Sequence, residues 1–469
     1  DLARIRDRVK NYANIAGTAK ARGTVTGTAD DIRATVSAAV DNLTLNGKRY
    51  DQAEVSLAYG ANVISDLTLT LKRGAQSLSV QAANYDIKTN CLQSATGRIV
   101  DINIPDVWQL LTSSPYLRTA QGRSLQEAIG RVPKLTGGTL SANIALDGCL
   151  NQPNGSLSLH ASNVGVDIRE IKSLDINATA TNGLVTLNRL IAASDDTSVT
   201  ATGEFAIPDR RVRLDVVASN LDLSRLRPWL GDNTPSGVAR ADFLVEGNVT
   251  SPHVVGSVEV VKPGYGGFTF DALRASRVEV TDNKIEFSDV ILASNSHQAV
   301  ARGYLPWSWS TFSIPPNEPL TISASLQKQD LSLLSALTAE LDPARTSGAI
   351  QAAVQVGGTF ASPKISGNLR IDNGTVAVKN FSNDFKNVNV NLRFDGNRVV
   401  VDELSAASSL GGRISVTPGG YVTMGLLADS AIDLKIAADG LIVAERNALG
   451  FREDITSQVD AGLSVTGTL

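Results

Sequence analysis

A segment in the middle of the chain, Phe243-Leu-Val-Glu-Gly-Asn-Val-Thr-Ser-Pro-His-Val-Val-Gly256, returns as Val354-Gln-Val-Gly-Gly-Thr-Phe-Ala-Ser-Pro-Lys-Ile-Ser-Gly367. Each copy places a proline five residues after one glycine and a second glycine four residues later. A worn copy stands at Leu146-Asp-Gly-Cys-Leu-Asn-Gln-Pro153, and Val25-Thr-Gly-Thr28 and Val465-Thr-Gly-Thr468 add two shorter ones. The aligned glycines Gly27, Gly148, Gly247, Gly358 and Gly467 are spaced 121, 99, 111 and 109 residues apart. A second marker keeps the same phase. Val100-Asp-Ile-Asn-Ile104, Leu221-Asp-Leu-Ser-Arg-Leu226 and Gln329-Asp-Leu-Ser-Leu-Leu334 each precede a short helix-like stretch, and Asp101, Asp222 and Asp330 lie 121 and 108 residues apart. A period near 110 residues means that one structural unit is repeated and stacked, which few folds permit. The repeats read as 27–147, 148–246, 247–357 and 358–466, with the end of an earlier one over 1–26 and the start of another over 467–469.

Between the markers, apolar residues alternate with polar ones at period two. Leu67, Leu69 and Leu71 are interleaved with Thr68 and Thr70, and Val212, Leu214 and Val216 with Arg213 and Asp215. Ile432, Leu434 and Ile436 enclose Asp433 and Lys435. Val278/Val280, Ile285/Phe287 and Val388/Val390/Leu392/Phe394 continue the pattern. Such alternation predicts strands with one apolar and one wet face. Asn182-Gly183, Asp282-Asn283, Asp372-Asn373-Gly374 and Asp395-Gly396-Asn397 read as the turns between them. Helices are expected only from Asp1 to about Tyr12, within 106–130, near Leu331–Leu341 and near Val443–Leu449. The fold class is therefore all-β.

Several dozen one-sided strands must cover their apolar face. A sandwich would press two such faces together, and a parallel β-helix would repeat every ~20–30 residues. A period near 110 residues with about eight strands fits neither. Aromatic residues are only 5% of the chain, so the inward positions are mostly aliphatic. The expected solution is one long antiparallel sheet folded lengthwise into an open, taco-like trough with an apolar lining. About 35 strands at ~4.8 Å would run roughly 170 Å.

The hairpin Gly358–Gly367, the Asp-Leu-Ser lead-in at Asp222–Ser224 and the Gly-x-Phe-x-Ile-Pro run at Gly203–Pro208 resemble the repeats of the TamB family. These are the inner-membrane components of translocation and assembly modules, within the AsmA-like group of repeating β-groove proteins. The resemblance spans essentially the whole chain. It implies a periplasmic segment anchored to the inner membrane by sequence outside this chain. It also implies an outer-membrane partner barrel of the BamA/TamA type, met through parts outside this chain. The implied roles are phospholipid transfer to the outer membrane or help with outer-membrane protein insertion. A single methionine, Met424, and an opening at Asp1 suit a middle portion of a longer polypeptide.

The remaining composition narrows the function. A net charge of −4 with no concentrated basic face argues against nucleic-acid binding. No apolar run reaches the ~18 residues of a membrane span. His160, His253 and His297 are widely separated, with no ligand spacing around them, and neither a Gly-x-Ser-x-Gly elbow nor a phosphate-binding loop occurs, so no catalytic residue, metal or cofactor is expected. Cys91 and Cys149 read either as a disulfide stapling the 106–130 insert to the sheet or as two separate thiols in turns. Trp307, Trp309 and Phe312, followed by Pro315, Pro316 and Pro319, form an insertion that reads either as leaning over the trough mouth to touch a lipid or partner or, better, as a hairpin extension covering the trough edge. Arg210, Arg211 and Arg213 read either as a contact for phosphate headgroups or, better, as a charged turn on a solvated strand. The Leu125/Ile129/Val132 stripe reads as a helix resting on the sheet.

The expected function is a non-enzymatic conduit whose apolar trough carries phospholipid acyl chains between the membranes. Its lining comprises Leu67, Leu69, Leu71, Val212, Leu214, Val216, Val278, Val280, Ile285, Phe287, Val388, Val390, Leu392, Phe394, Ile432, Leu434 and Ile436. The competing expectation is a scaffold for outer-membrane protein assembly that pairs its edge strands with a client by β-augmentation.

Overall fold

The computed structural model describes residues 15–28, 31–45, 47–113, 135–166, 169–226, 235–265, 268–311, 313–336, 338, 340–379, 383–423, 431–444 and 457–468. Over these residues the chain is almost entirely strand, and its 28 strands belong to one antiparallel sheet built mostly from successive hairpins. Helical structure among the described residues is limited to the helix Ile104–Ser113 and the 3-10 turns Leu223–Leu226 and Leu331–Ala336. The helix expected at Asp1–Tyr12, the Leu125/Ile129/Val132 stripe and most of the Val443–Leu449 turn lie outside the described residues. Val443 itself belongs to the strand Ala431–Ala444.

The repeated Gly-to-Pro spacing is hairpin geometry. Gly148 stands opposite Pro153 and Gly358 opposite Pro363 across their two strands, leaving Leu150 and Asn151 as the turn in the first hairpin, where Cys149 and Gln152 still pair, and 359–362 as the turn in the second. In the second hairpin, Thr359 and Ser362 exchange backbone hydrogen bonds at 3.2 and 3.1 Å. Gly148 and Gly358 have φ of 83° and 82°, a left-handed backbone that a Cβ opposes, and all five aligned glycines share the positive sign. Proline is tolerated at Pro363 because it opens its strand, Pro363–Val376.

Strands are fewer and longer than the alternation implied. Asp372-Asn373-Gly374, expected to be a turn, lies inside the strand Pro363–Val376, where the register shifts between Ile371 and Gly374. Asn373 has φ of 49° there. Asp66, Ser94, Asp101 and Asp289 sit similarly in left-handed backbone at register shifts inside strands. Each is a β-bulge, which inserts a residue without ending the ladder, and short polar side chains tolerate the required φ. A polar Asx cluster therefore marks either a turn or a bulge, and the sequence pattern alone does not separate them.

The chain divides into two units, one comprising Asp1–Asn220 with Leu244–Val249, the other Leu221–Phe243 with Thr250–Leu469. In the first, Ile104 of the helix packs with Ala161 and Val164, bordered by Leu140, Leu159 and Leu174. In the second, Leu331 of a 3-10 turn packs with Ile350 and Ile371, bordered by Leu369, Val376 and Val390. These are small cores beneath helical segments. Most apolar side chains elsewhere are only half-buried, as expected where no second layer lies on the sheet.

The second marker resolves into two behaviours. Asp222 accepts hydrogen bonds from the Ser224 N–H at 3.0 Å and hydroxyl at 2.7 Å, and Asp330 accepts one from the Ser332 N–H at 2.9 Å. Both cap the turns that follow. Asp101 instead occupies a bulge and accepts from the Ser141 hydroxyl at 3.0 Å. The helix after it is held through Asp106 in its first turn. That buried carboxylate binds Lys48 and, at 3.1 Å, Arg73 from neighbouring strands.

Candidate apolar binding face

Residues directly opposite each other in antiparallel strands share a face, so the register can be followed from strand to strand. In the first unit one such row runs Ala21, Ala38, Val55, Leu69, Val80, Gly97, Ile144, Leu157, Ala178, Leu187, Gly203, Leu214. It crosses twelve strands without one polar side chain. A parallel row containing Leu71, Leu78, Ile99, Leu159, Ile176, Leu190 and Val216 is equally apolar. The row one residue away runs Arg22, Ser37, Ser56, Thr68, Gln81, Thr96, Ala145, Ser156, Thr179, Thr186, Glu204, Arg213 and is polar except at Ala145. Along these rows one face of this unit is apolar, and the other is polar except at Ala145.

The second unit repeats the device. Val258, Ala275, Val290, Ala301, Ala324, Val354, Gly367, Phe394, Val399, Val422, Ile432 and Gly467 are opposed in turn across twelve strands. Its polar side carries the opposed ion pairs Arg274–Glu259 at 2.9 Å and Arg413–Asp439 at 3.1 Å. His253 at 2.8 Å and Arg277 at 2.8 Å both hydrogen-bond Glu279 and hold its carboxyl below the usual range. These pairs are exposed to water and contribute little each. They keep this face wetted.

Some of the expected lining residues lie on these rows, and the others stand opposite further apolar residues. Leu69 and Leu214 share one, as do Leu71 and Val216; Leu67 opposes Ala82, and Val212 opposes Phe205. Val278 opposes Phe287, and Val280 opposes Ile285. Phe394 and Ile432 share a row, Leu392 stands between Leu369 and Val401, and Leu434 opposes Val465. Val390 and Ile436 lie on a further row with Ile350, Ile371, Leu404 and Val416. Val390 packs against the core under Leu331, and Val388 is only 8% exposed. These two positions lie under or beside the helical plug rather than on the open stripe.

Small residues were overlooked. Ala38, Gly97, Ala178 and Gly203 hold row positions, but a search for large apolar side chains passes over them. Gly203 has φ of 144°, and a Cβ there would lie 2.1 Å from the Arg213 carbonyl oxygen. Its signal was a glycine in phase with an alternating run.

Cys91 and Cys149 are joined by a disulfide, 58 positions apart in sequence. They are directly opposed on the strands Cys91–Asn103 and Leu135–Cys149, whereas the helix follows Asn103 at the other end of that pair. The bridge therefore fastens two adjacent strands at the end remote from the insert, and does not staple the insert as expected. Trp307 and Trp309 pack edge to face at 5.6 Å, and Trp309 Nε1 donates to the Thr281 carbonyl at 3.0 Å. The Ala361 N–H donates to the Pro316 carbonyl at 2.8 Å. The insertion thus ties together the hairpins on either side of it; Phe312 lies outside the described residues. Arg213 pairs with Glu246 at 2.9 Å, while Arg210 and Arg211 sit at the preceding turn.

His160 Nδ1–H donates to the Asp175 carboxylate at 2.7 Å, and Nε2 lies 3.1 Å from the Ser162 hydroxyl. On this exposed strand surface the group serves as a polar cross-strand contact. No group of three or more metal-ligating side chains occurs among the described residues, and no described helix is long and apolar enough to cross a membrane. No family model, curated protein or solved structure matches the chain.

Proposed function

We propose that this chain is a non-enzymatic carrier surface for phospholipid, in which acyl chains travel on the apolar face and headgroups stay in water. The observation that carries this reading is the pair of uninterrupted apolar rows, each twelve strands wide, one in each unit. A protein that needed only mechanical length would gain nothing from a face kept free of polar side chains over so many strands. Each methylene sheltered from water is worth about 0.8 kcal/mol, so an acyl chain needs such a surface to cross an aqueous space. Successive row positions are chemically alike, so no single site is a deep trap. Movement along them is passive, and direction is imposed elsewhere.

The TamB-like repeat pattern supports placing this surface in the periplasm, between inner and outer membranes, with an anchor and a BamA/TamA-type barrel partner supplied by other sequence. Folding of the sheet into a taco-like trough belongs to the same proposal. The test is mass spectrometry of lipids extracted from the chain purified under non-denaturing conditions. Phospholipid should accompany the wild-type chain and be strongly depleted when Leu214 and Leu392 are both replaced by Arg. Lipid-free wild-type protein, purified from lipid-containing cells without detergent, contradicts the reading.

A further inference from the structure

The apolar face of the first unit has two unlike borders. One carries the helix Ile104–Ser113, whose Ile104 is buried against the face and whose Asp106 binds Lys48 and Arg73. On the same side Lys172 pairs with Asp195. These cations are engaged in ion pairs. The other border is made of hairpin tips. There Ile32, Ile87, Leu150, Leu184 and Val249 are exposed by 41–49%, and no large hydrophobic of comparable exposure occurs among the described residues of the helix side of this unit.

These tips are joined to one another. The Ile87 N–H donates to the Asn62 carbonyl at 3.0 Å, Leu150 to Asn90 at 3.0 Å, and Val249 to Arg210 at 3.1 Å. The aliphatic side chains are therefore held along one border rather than scattered, which is where exposed apolar surface signals an interaction. Lys88, Arg210 and Arg211 stand among them, and none makes an ion pair among the described residues. The neighbouring acid Asp86 is occupied by its own turn. It accepts from the Lys88 and Thr89 N–H groups at 2.8 and 3.1 Å, which holds its carboxyl below the usual range.

We infer that the hairpin border of the first unit is where phospholipid moves on and off the apolar face, its acyl chains passing over the aliphatic tips while Lys88 at one tip, and Arg210 and Arg211 at another six strands away, meet lipid phosphodiesters. This rests on the lipid-carrier reading and adds the side and the chemistry of lipid access. Exposed aliphatics next to cations that make no ion pair among the described residues match the two halves of a phospholipid, as they do at membrane surfaces.

The experiment places a photo-crosslinking residue at Leu150 on the hairpin border, at Asp196 on the opposite border, or at Leu214 on the face. Each full-length variant is incubated with vesicles of phosphatidylethanolamine and phosphatidylglycerol carrying a tail-labelled phospholipid. Leu150 should capture label together with Leu214, and Asp196 about tenfold less. Capture at Asp196 equal to or above that at Leu150 overturns the inference while leaving the carrier reading intact. Absence of label at Leu214 overturns the carrier reading itself. In a second arm, the variant with Lys88→Glu, Arg210→Glu and Arg211→Glu should load Leu214 about tenfold more slowly, since each lost or reversed surface charge weakens attraction to anionic lipid. Inorganic phosphate at matched ionic strength should not compete, because the site also requires the acyl chain. Loading at the wild-type rate, or competition by free phosphate, removes the headgroup contact from the proposal.

Discussion

At the residue scale the fold depends on a few positions where geometry leaves no alternative. A Cβ at Gly367 would lie 2.1 Å from the Ala353 carbonyl oxygen, with φ of 140°. Gly367→Ala should therefore lower stability by about 2 kcal/mol or more, read from urea unfolding, whereas Gly462→Ala, with open space around it, should be nearly neutral. Leu331 is fully buried, and Leu331→Ala should cost about 2–5 kcal/mol. Asp106 is buried between two cations, so Asp106→Ala should cost about 2 kcal/mol and release the helix. Acid should loosen the capped turns. Hydrogen bonds from Ser224 and Ser332 hold the Asp222 and Asp330 carboxyls below the ordinary range. A depressed folded-state pKa contributes stability that is present above the unfolded value, near 4, and lost as pH falls through the lower folded one. Protection of the Ser224 and Ser332 amides, taken relative to the intrinsic exchange rate at each pH, should fall below about pH 4, and Asp222→Asn and Asp330→Asn should flatten that dependence.

At the scale of elements, much of the architecture was legible before any coordinates. Hairpins declared themselves through Gly148/Pro153 and Gly358/Pro363, because a fixed spacing between a left-handed glycine and a strand-opening proline has one simple geometric meaning. Faces declared themselves through alternation, as at Leu67–Leu71 and Val212–Val216. Bulges did not: Asp372-Asn373-Gly374 and Asp289 carry turn chemistry inside strands, because the residues that tolerate left-handed backbone are the same in both settings. Small members of the apolar rows were missed for a related reason, since Ala and Gly carry little pattern on their own. The coverage of Val390 by the 3-10 turn depends on a packing decision that no local pattern encodes. The disulfide illustrates register. Cys91 and Cys149 oppose each other only because the bulges at Ser94 and Asp101 set the pairing of their strands. In the chain-entropy model, closing the 58-residue span contributes about 4 kcal/mol. Reduction, or Cys91→Ser with Cys149→Ser, should lower the denaturation midpoint of the first unit and increase exchange of the Cys91–Asn103 amides, with little effect on the second unit.

At the scale of the molecule, the account rests on one face of each unit being apolar for the purpose of holding acyl chains. Arg in place of Leu214 puts a charge on that face, at an expected cost of about 2–4 kcal/mol to an acyl chain passing it, less whatever snorkelling recovers. Strand edges are untouched by this change, so a scaffold acting through β-augmentation would retain its activity while a lipid carrier would lose it. The most direct measurement is photo-crosslinking at adjacent residues of opposite face, Phe287 against Glu286 and Leu434 against Lys435, in the presence of phospholipid vesicles. The account predicts phospholipid adducts at Phe287 and Leu434 and none at Glu286 or Lys435. Equal labelling of both faces, or labelling of the polar face alone, would contradict it.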